Sequence, residues 1–264
     1  MAAHPVITAL VICLAVQAVF FAFAASLKTD KVTDLSYGLT FVLVASWLLT
    51  TSGRAHDPVA MAIAAMVIVW GLRLSGYLLR RIIHMKRDAR FDGVREHFWP
   101  FFKFWLFQGI AVWAILLPVV IWFAEAAPAA WSVWHGLGAM VWAGGLIIET
   151  VADQQKFAFK QSPDAKWTDV GLWRWSRHPN YFGELTCWWG LFVAIAPNLP
   201  GGWWLVALIG PVTITVVILF LTGVPQLETR ADQRWGRDPA YQRYKAATPL
   251  LVPRIPANRV RNLQ

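Results

Sequence analysis

Around residue 178 the chain gathers side chains suited to anion binding. Arg174, Arg177 and His178 precede Pro179, and Asn180 and Tyr181 follow it. Proline pre-sets the first turn of a helix, and the free amides at a helix start carry partial positive charge. Arg174, Arg177 and His178 around such a terminus read as a phosphate cradle, or as interfacial anchoring by Arg and Trp. Glu184 follows where the chain turns apolar, and a carboxylate entering lipid needs a partner; Arg177 and His178 are the nearest in sequence. A second set lies earlier. Arg73 and Tyr77 are four residues apart, hence on one helix face, inside an apolar run. An ionisable group there serves a site, or snorkels or pairs structurally. Asp34 and Tyr37 open another apolar run, where Asp34 also suits helix capping. Glu149 and Asp153 close a further run and suit pairing with Arg73 or with loop arginines. The six histidines are scattered with no two at metal-ligand spacing, so no metal is expected. No Walker loop, no Gly-x-Gly-x-x-Gly after a strand and no Gly-x-Ser-x-Gly elbow occurs, which leaves ATP use and serine chemistry without support.

The elements that must hold these groups are membrane helices. Of 264 residues, 57% are hydrophobic and 15% charged, well below the roughly 25% charged of soluble domains. Disorder is excluded by the apolar content, and a disulfide scaffold by the presence of two cysteines, Cys13 and Cys187. Seven apolar runs approach the length that crosses a bilayer: Pro5–Leu27, Leu35–Ser52, Pro58–Leu79, Phe104–Phe123, Trp131–Val151, Phe182–Ala196 and Trp203–Val224. The sixth is short, and the first is expected to be retained rather than cleaved as a leader. With the N-terminus outside, 22 of the 24 Lys and Arg fall on the inner side, including Lys86, Arg87, Arg90, Arg259 and Arg261; Arg54 lies outside and Arg73 within the third run. The expected fold is therefore all-α and integral to the membrane. It has seven transmembrane helices, the N-terminus outside and the C-terminus cytoplasmic, in a single transmembrane domain over residues 1–264. Nucleic-acid binding is not expected, since topology accounts for the positive charge and anionic lipid is its obvious partner.

The stretch Gly171–Glu184, Gly-Leu-Trp-Arg-Trp-Ser-Arg-His-Pro-Asn-Tyr-Phe-Gly-Glu, followed by Trp188-Trp189-Gly190, resembles the steroid 5-alpha-reductase-like membrane proteins, specifically their bacterial DUF1295 branch. Trp70–Tyr77 with Arg80, Asp153–Lys160, and Tyr241, Tyr244 and Pro249–Pro253 resemble further parts of the same pattern. The resemblance implies an inner-membrane, NADPH-dependent reductase of a carbon–carbon double bond in a lipophilic steroid-, enone- or isoprenoid-like substrate. Residues 1–103 would form the substrate side and 104–264 the cofactor half. Lys156 and Lys160 would face cofactor phosphates. Trp173, Arg177, His178, Asn180 and Tyr181 would line the cofactor, Glu184 would hold ribose or orient an arginine, and Tyr241 and Tyr244 would close the adenine end. Arg73 and Glu228 complete the cofactor set. The family's Gln-Glu pair is absent from Leu35–Ser52, and Trp70 stands where its tyrosine would be. Tyr77, Tyr37 and Asp34 are therefore the candidate catalytic proton donors by position. Two alternatives accompany this reading: an S-adenosylmethionine-dependent methyltransferase of the isoprenylcysteine type, which often carries a Glu-Glu pair where this chain has only Glu228, and a non-catalytic lipid-binding relative.

Overall fold

The computed structural model describes residues 3–85, 91–127, 130–162 and 165–254. Lys86, Arg87, Arg90, Arg259 and Arg261 lie outside the described residues. The chain is helical, with no strand among the described residues. Five long helices come first: α1 (Ala3–Ser26), α2 (Thr33–Thr51), α3 (Pro58–Met85), α4 (Phe98–Glu125) and α5 (Val133–Phe159). After a short turn at Gly171–Arg174 come α6 (Pro179–Ile195), α7 (Trp203–Ala207), α8 (Ile209–Val216), α9 (Val224–Trp235) and α10 (Pro239–Ala247). A π turn at Val217–Leu221 joins α8 to α9, making one helical run long enough to cross a membrane and still project beyond it.

Six helices are long and apolar enough to span, against the seven expected from the apolar runs. The difference is α6, whose 17 residues fall short of the others. Val19, Met140 and Phe220 project outward from spanning helices. That places hydrocarbon rather than water around them, as in an integral membrane protein.

The chain divides into two compact units. The first holds α1 to α4, the start of α5 and Leu191–Thr213. Its centre is α4, buried continuously from Ile115 to Phe123. Gly210 packs on the ring of Pro118 inside α4, where an added Cβ would stand 2.5 Å from Cδ. Helices α2 and α3 meet at Gly38 and Gly71: a Cβ on Gly38 would lie 2.2 Å from Ser75 Oγ and 2.9 Å from the Gly71 carbonyl. Buried amide and hydroxyl groups tie α1, α2 and α4. Gln17 donates to Thr40 Oγ1 at 2.8 Å, and Gln108 donates to Gln17 Oε1 at 2.9 Å and Ser36 Oγ at 3.1 Å. With little hydrophobic drive between helices in lipid, such bonds fix which faces meet.

The charged groups of this unit are mostly paired. Arg95 is buried and bonds Asp30 at 2.7 Å. Arg54 is also buried: it pairs with Asp57 at 2.7 Å and lies 3.9 Å from the centroid of the Trp122 ring. Val32, not Asp34, occupies the N-cap of α2; Asp34 sits in the first turn and pairs with Arg81 at 2.6 Å. Tyr37 packs edge-on against Phe41, which in turn meets the buried Trp70 at 5.1 Å.

The second unit comprises Met140–Gly190 and the chain from Ile214. Helices α5 and α6 cross at two glycines. A Cβ on Gly145 would stand 2.7 Å from the Cys187 nitrogen and the Gly183 carbonyl, and a Cβ on Gly183 2.5 Å from the Glu149 nitrogen. This crossing sets the start of α6 beside the end of α5, where the polar residues collect.

Candidate functional site

The last turn of α5 presents Lys156, and Lys160 follows just past the helix end, four residues on. The same end of α5 anchors the following turn. Gln155 Oε1 accepts from the Leu172 amide at 2.9 Å, and Trp173 Nε1 donates to the Ala152 carbonyl at 2.9 Å. Gly171 is required here: its φ is +51°, and a Cβ would lie 2.2 Å from Gln155 Nε2. The turn sets the Trp173 ring under Lys156, whose Nζ is 4.7 Å from the centroid.

Residues 175–177 then run beside residues 249–254. The Arg177 amide donates to the Pro249 carbonyl at 2.9 Å, the Arg254 amide to the Trp175 carbonyl at 2.9 Å, and Ser176 Oγ to the Leu251 carbonyl at 2.7 Å. Ser176 Oγ also accepts from the His178 amide, so the entry to α6 is held on both sides. Helix α10 starts at Pro239 with Asp238 as its cap, accepting from the Ala240 amide at 2.8 Å. It delivers Tyr241 and Tyr244, and Tyr244 Oη donates to the Trp173 carbonyl at 2.9 Å.

Between these parts and α9 lies a cleft of about 250 Å³. Glu228 of α9 is its pivot. Oε1 accepts from His178 Nε2 at 2.8 Å, Oε2 accepts from Arg177 Nη1, and Lys245 approaches Oε2 at 3.4 Å. Lys245 also pairs with Asp232, which accepts from Tyr241 Oη at 3.2 Å. Five cations line the cleft (Lys156, Lys160, Arg177, Arg230 and Arg234) against the single carboxylate of Glu228. Its walls carry Trp167, Trp173, Trp235, Tyr241 and Tyr244. Trp167 is central among them, 5.3 Å from Tyr241 and 6.2 Å from Trp235 between centroids. Three buried polar atoms here have no partner among the described residues: Trp167 Nε1, Arg177 Nε and His178 Nδ1. Such atoms are rarely left alone inside a protein, and they leave room here for a water or a polar ligand.

The tyrosines keep their protons. Burial and then the Asp232 charge push Tyr241 up to about 12, and burial raises Tyr244 further. Both are hydrogen-bond donors here rather than acids at neutral pH. His178 moves the other way. Burial holds its imidazole below the ordinary value; Lys156 and Arg177 add to this, while the Glu228 hydrogen bond opposes it. A carboxylate only accepts, so Nε2 carries the proton of the neutral ring and Nδ1 offers a lone pair. The sign for stability follows. Between the folded value and the ordinary 6.5, the unfolded chain binds a proton that the folded chain does not. The contribution is complete above 6.5 and is lost as pH falls below it. Between about pH 7.5 and about pH 5.5 the melting temperature of the detergent-solubilised protein should fall more steeply than that of His178→Gln; parallel profiles would contradict this.

Of the twelve residues expected at a cofactor, eight line the cleft: Lys156, Lys160, Trp173, Arg177, His178, Glu228, Tyr241 and Tyr244. Asn180, Tyr181, Glu184 and Arg73 do not. Tyr181 stacks on His178, centroids 5.7 Å apart, and Asn180 and Glu184 stand on α6 on either side of it in sequence. The carboxylate that orients Arg177 is Glu228, not Glu184. Arg174 turns away to the Asp169 carbonyl, so the expected cradle at the helix terminus gives way to one built with α9. Arg73 lies in the first unit with its guanidinium 5.7 Å from the Tyr77 ring centroid. Asp34 and Tyr37 belong to that unit as well. Sequence reasoning missed Trp167, Arg230, Arg234 and Trp235. For three of them a signal exists: Glu228, Ala231 and Trp235, and likewise Arg230 and Arg234, recur at helical spacing on α9. Among the described residues, no group of three His, Cys, Asp or Glu could hold a metal ion.

A family model described as "Protein of unknown function (DUF1295)" matches residues 20–248. A protein of Schizosaccharomyces pombe, itself named only as uncharacterized, is 24% identical over 228 residues, covering 74% of this chain and 63% of that protein. The match thus spans less than two thirds of that relative's length. No solved structure matches the chain.

Proposed function

Because the chain belongs to the DUF1295 family, whose function is unknown, we propose from its own chemistry that it is a membrane reductase. It would use NADPH to saturate a carbon–carbon double bond in a lipophilic steroid-, enone- or isoprenoid-like substrate. The observation that carries this reading is the cleft. Five cations face one carboxylate across aromatic walls, with three unpartnered polar atoms between them. A ligand that satisfies such a lining is polyanionic and carries a flat ring and hydroxyls, which describes the adenosine diphosphate half of a dinucleotide. Lys156 and Arg177 would hold the diphosphate, the lone pair of His178 Nδ1 would accept from a ribose hydroxyl, and Trp167 with Tyr241 would receive the adenine. When bound, the cofactor supplies the hydride.

The protein must also supply a proton. Asp34 is engaged by Arg81 at 2.6 Å, and a carboxylate held in an ion pair is a poor acid. This reading therefore gives the role to Tyr37 or Tyr77. The one-sided distribution of Lys and Arg supports a cytoplasmic cleft and an outside N-terminus; the bacterial inner membrane and substrate entry from the bilayer follow only from the resemblance.

The test uses the full chain in detergent. NADPH at about a hundred times its dissociation constant should raise the melting temperature by about 5–10 °C, with no shift from S-adenosylmethionine. A shift from S-adenosylmethionine alone would overturn the reading in favour of methyl transfer. A shift from neither would leave a lipid-binding relative.

A further inference from the structure

The end of α5 away from Lys156 carries a second polar cluster, within the first unit. His135 is its centre and is almost wholly buried. Helix α5 begins at Val133, which places Ser132 at its N-cap and His135 at the third helical position. The two bond reciprocally. The Ser132 amide donates to His135 Nδ1 at 3.0 Å, and the His135 amide donates to Ser132 Oγ at 3.5 Å. This is the capping box of a helix start, in which glutamate or glutamine ordinarily takes the second place. The other ring nitrogen faces a different helix. Asn198, closing the short turn after α6, sets its Nδ2 3.0 Å from His135 Nε2 and 3.1 Å from the Ala194 carbonyl. One imidazole thus joins the start of α5 to the end of α6. Trp131 packs edge-on against it, centroids 5.8 Å apart. The charged group whose field reaches the ring is Asp57, which caps α3 and is neutralised by Arg54 at 2.7 Å. Glu125, at the end of α4, makes no bond to the ring among the described residues.

We propose that His135 is an acid-released clasp between α5 and α6, closed while its ring is neutral and opened when the ring takes a second proton. A neutral imidazole has one lone pair and one N–H; an imidazolium has two N–H groups and no lone pair. Both amides aimed at the ring are donors, Ser132 N–H at Nδ1 and Asn198 Nδ2 at Nε2. The neutral ring accepts from one of them, and the cation from neither. The cation is met only if Asn198 turns its oxygen round, which breaks the bond to Ala194, and the Ser132 amide then still lacks its acceptor. This arrangement and protonation therefore oppose each other, so acid loosens the clasp. Histidine changes charge close to neutral pH, where the glutamate or glutamine of an ordinary capping box does not. The neighbouring tie is built otherwise. Arg54 bonds Asp57 and the Ala126 carbonyl, joining the start of α3 to the end of α4 with groups that keep their charge through the same range. One seam is permanent and the other titratable. The clasp does not depend on what fills the cleft.

Amide hydrogen exchange of the full chain in detergent, normalised to the intrinsic rate at each pH, tests the clasp. Between about pH 7.5 and about pH 5, protection across Ser132–Gly136 should fall about 10- to 100-fold in the wild type. Protection at Val59 and Ala60, whose amides Asp57 caps, should change less than about 2-fold. His135→Gln keeps an acceptor and a donor and has nothing to titrate, so its Ser132–Gly136 segment should respond to acid less than about 2-fold. Asn198→Asp sets a carboxylate beside Nε2, an acceptor suited to the cation, so it should retain protection in acid; it tests the clasp independently should His135→Gln fail to fold. The exposed His56 and the distant His178 serve as controls: His56→Gln and His178→Gln should lose protection as the wild type does. Wild-type protection that survives acid, a loss shared equally by Val59 and Ala60, or a loss unchanged in His135→Gln or in Asn198→Asp would each overturn the proposal.

Discussion

Replacing Glu228 by alanine is expected to lower the unfolding free energy by about 2–4 kcal/mol. One carboxylate there receives Arg177 and His178 and faces Lys245. Its loss leaves the Arg177 guanidinium and the His178 Nε2–H, both largely shielded from water, without their acceptor. The cost of stranding such groups exceeds the net worth of the pair itself. Glu228→Gln should lose less, about 1 kcal/mol, since the amide oxygen still accepts. Thermal and chemical denaturation of the detergent-solubilised chain measure both. An alanine variant as stable as wild type would mean that Glu228 is no pivot and that Arg177 and His178 are held by the backbone alone.

Gly183→Ala should cost about 3 kcal/mol and open the cleft as well. The new methyl would lie 2.5 Å from the Glu149 nitrogen and 2.7 Å from the Gly145 carbonyl. Both are backbone atoms, so no side chain can swing aside, and α5 and α6 must part. Lys156 rides on α5 with Lys160 just past its end, while His178 precedes α6, so parting separates the groups that would share a ligand. Nucleotide affinity should then fall with stability. Gly144→Ala is the internal control. Nothing lies within 4 Å of a Cβ built there, and alanine is the better helix former by about 1 kcal/mol. A neutral or stabilising Gly144→Ala beside a damaging Gly183→Ala would tie the loss to the crossing. Equal effects would refute that account.

Hydropathy revealed solvent rather than helix ends. The third apolar run stops at Leu79, yet α3 continues to Met85; the fifth stops at Val151, yet α5 continues to Phe159. Backbone hydrogen bonding carries a helix out of lipid, and here that projecting turn of α5 bears Lys156. The motif around His178 is contiguous, so its residues were legible together. Its partner Glu228 is fifty positions away, and only folding reveals which carboxylate reaches Arg177. Arg230 and Arg234 were visible as charge but read as topology, because counting charges along a tail ignores which helix face they share. Trp167 was one of 17 tryptophans, most of them plausible at an interface. Gln17, Ser36, Thr40 and Gln108 each stand nearly alone in an apolar run, and no local pattern says that they meet.

The run of residues 249–254 beside 175–177 bears on the order of assembly during synthesis. Long helices can settle one after another as they emerge from the ribosome, each closing its own hydrogen bonds. The segment Trp175–Arg177 cannot settle that way, since its backbone and Ser176 hydroxyl bond to Pro249, Leu251 and Arg254. Its partners are translated only after all six candidate spans. The nascent protein thus passes through an interval in which it is threaded into the bilayer but has no finished cleft. Residues 249–254 complete the cleft only after the bundle that carries it is in place.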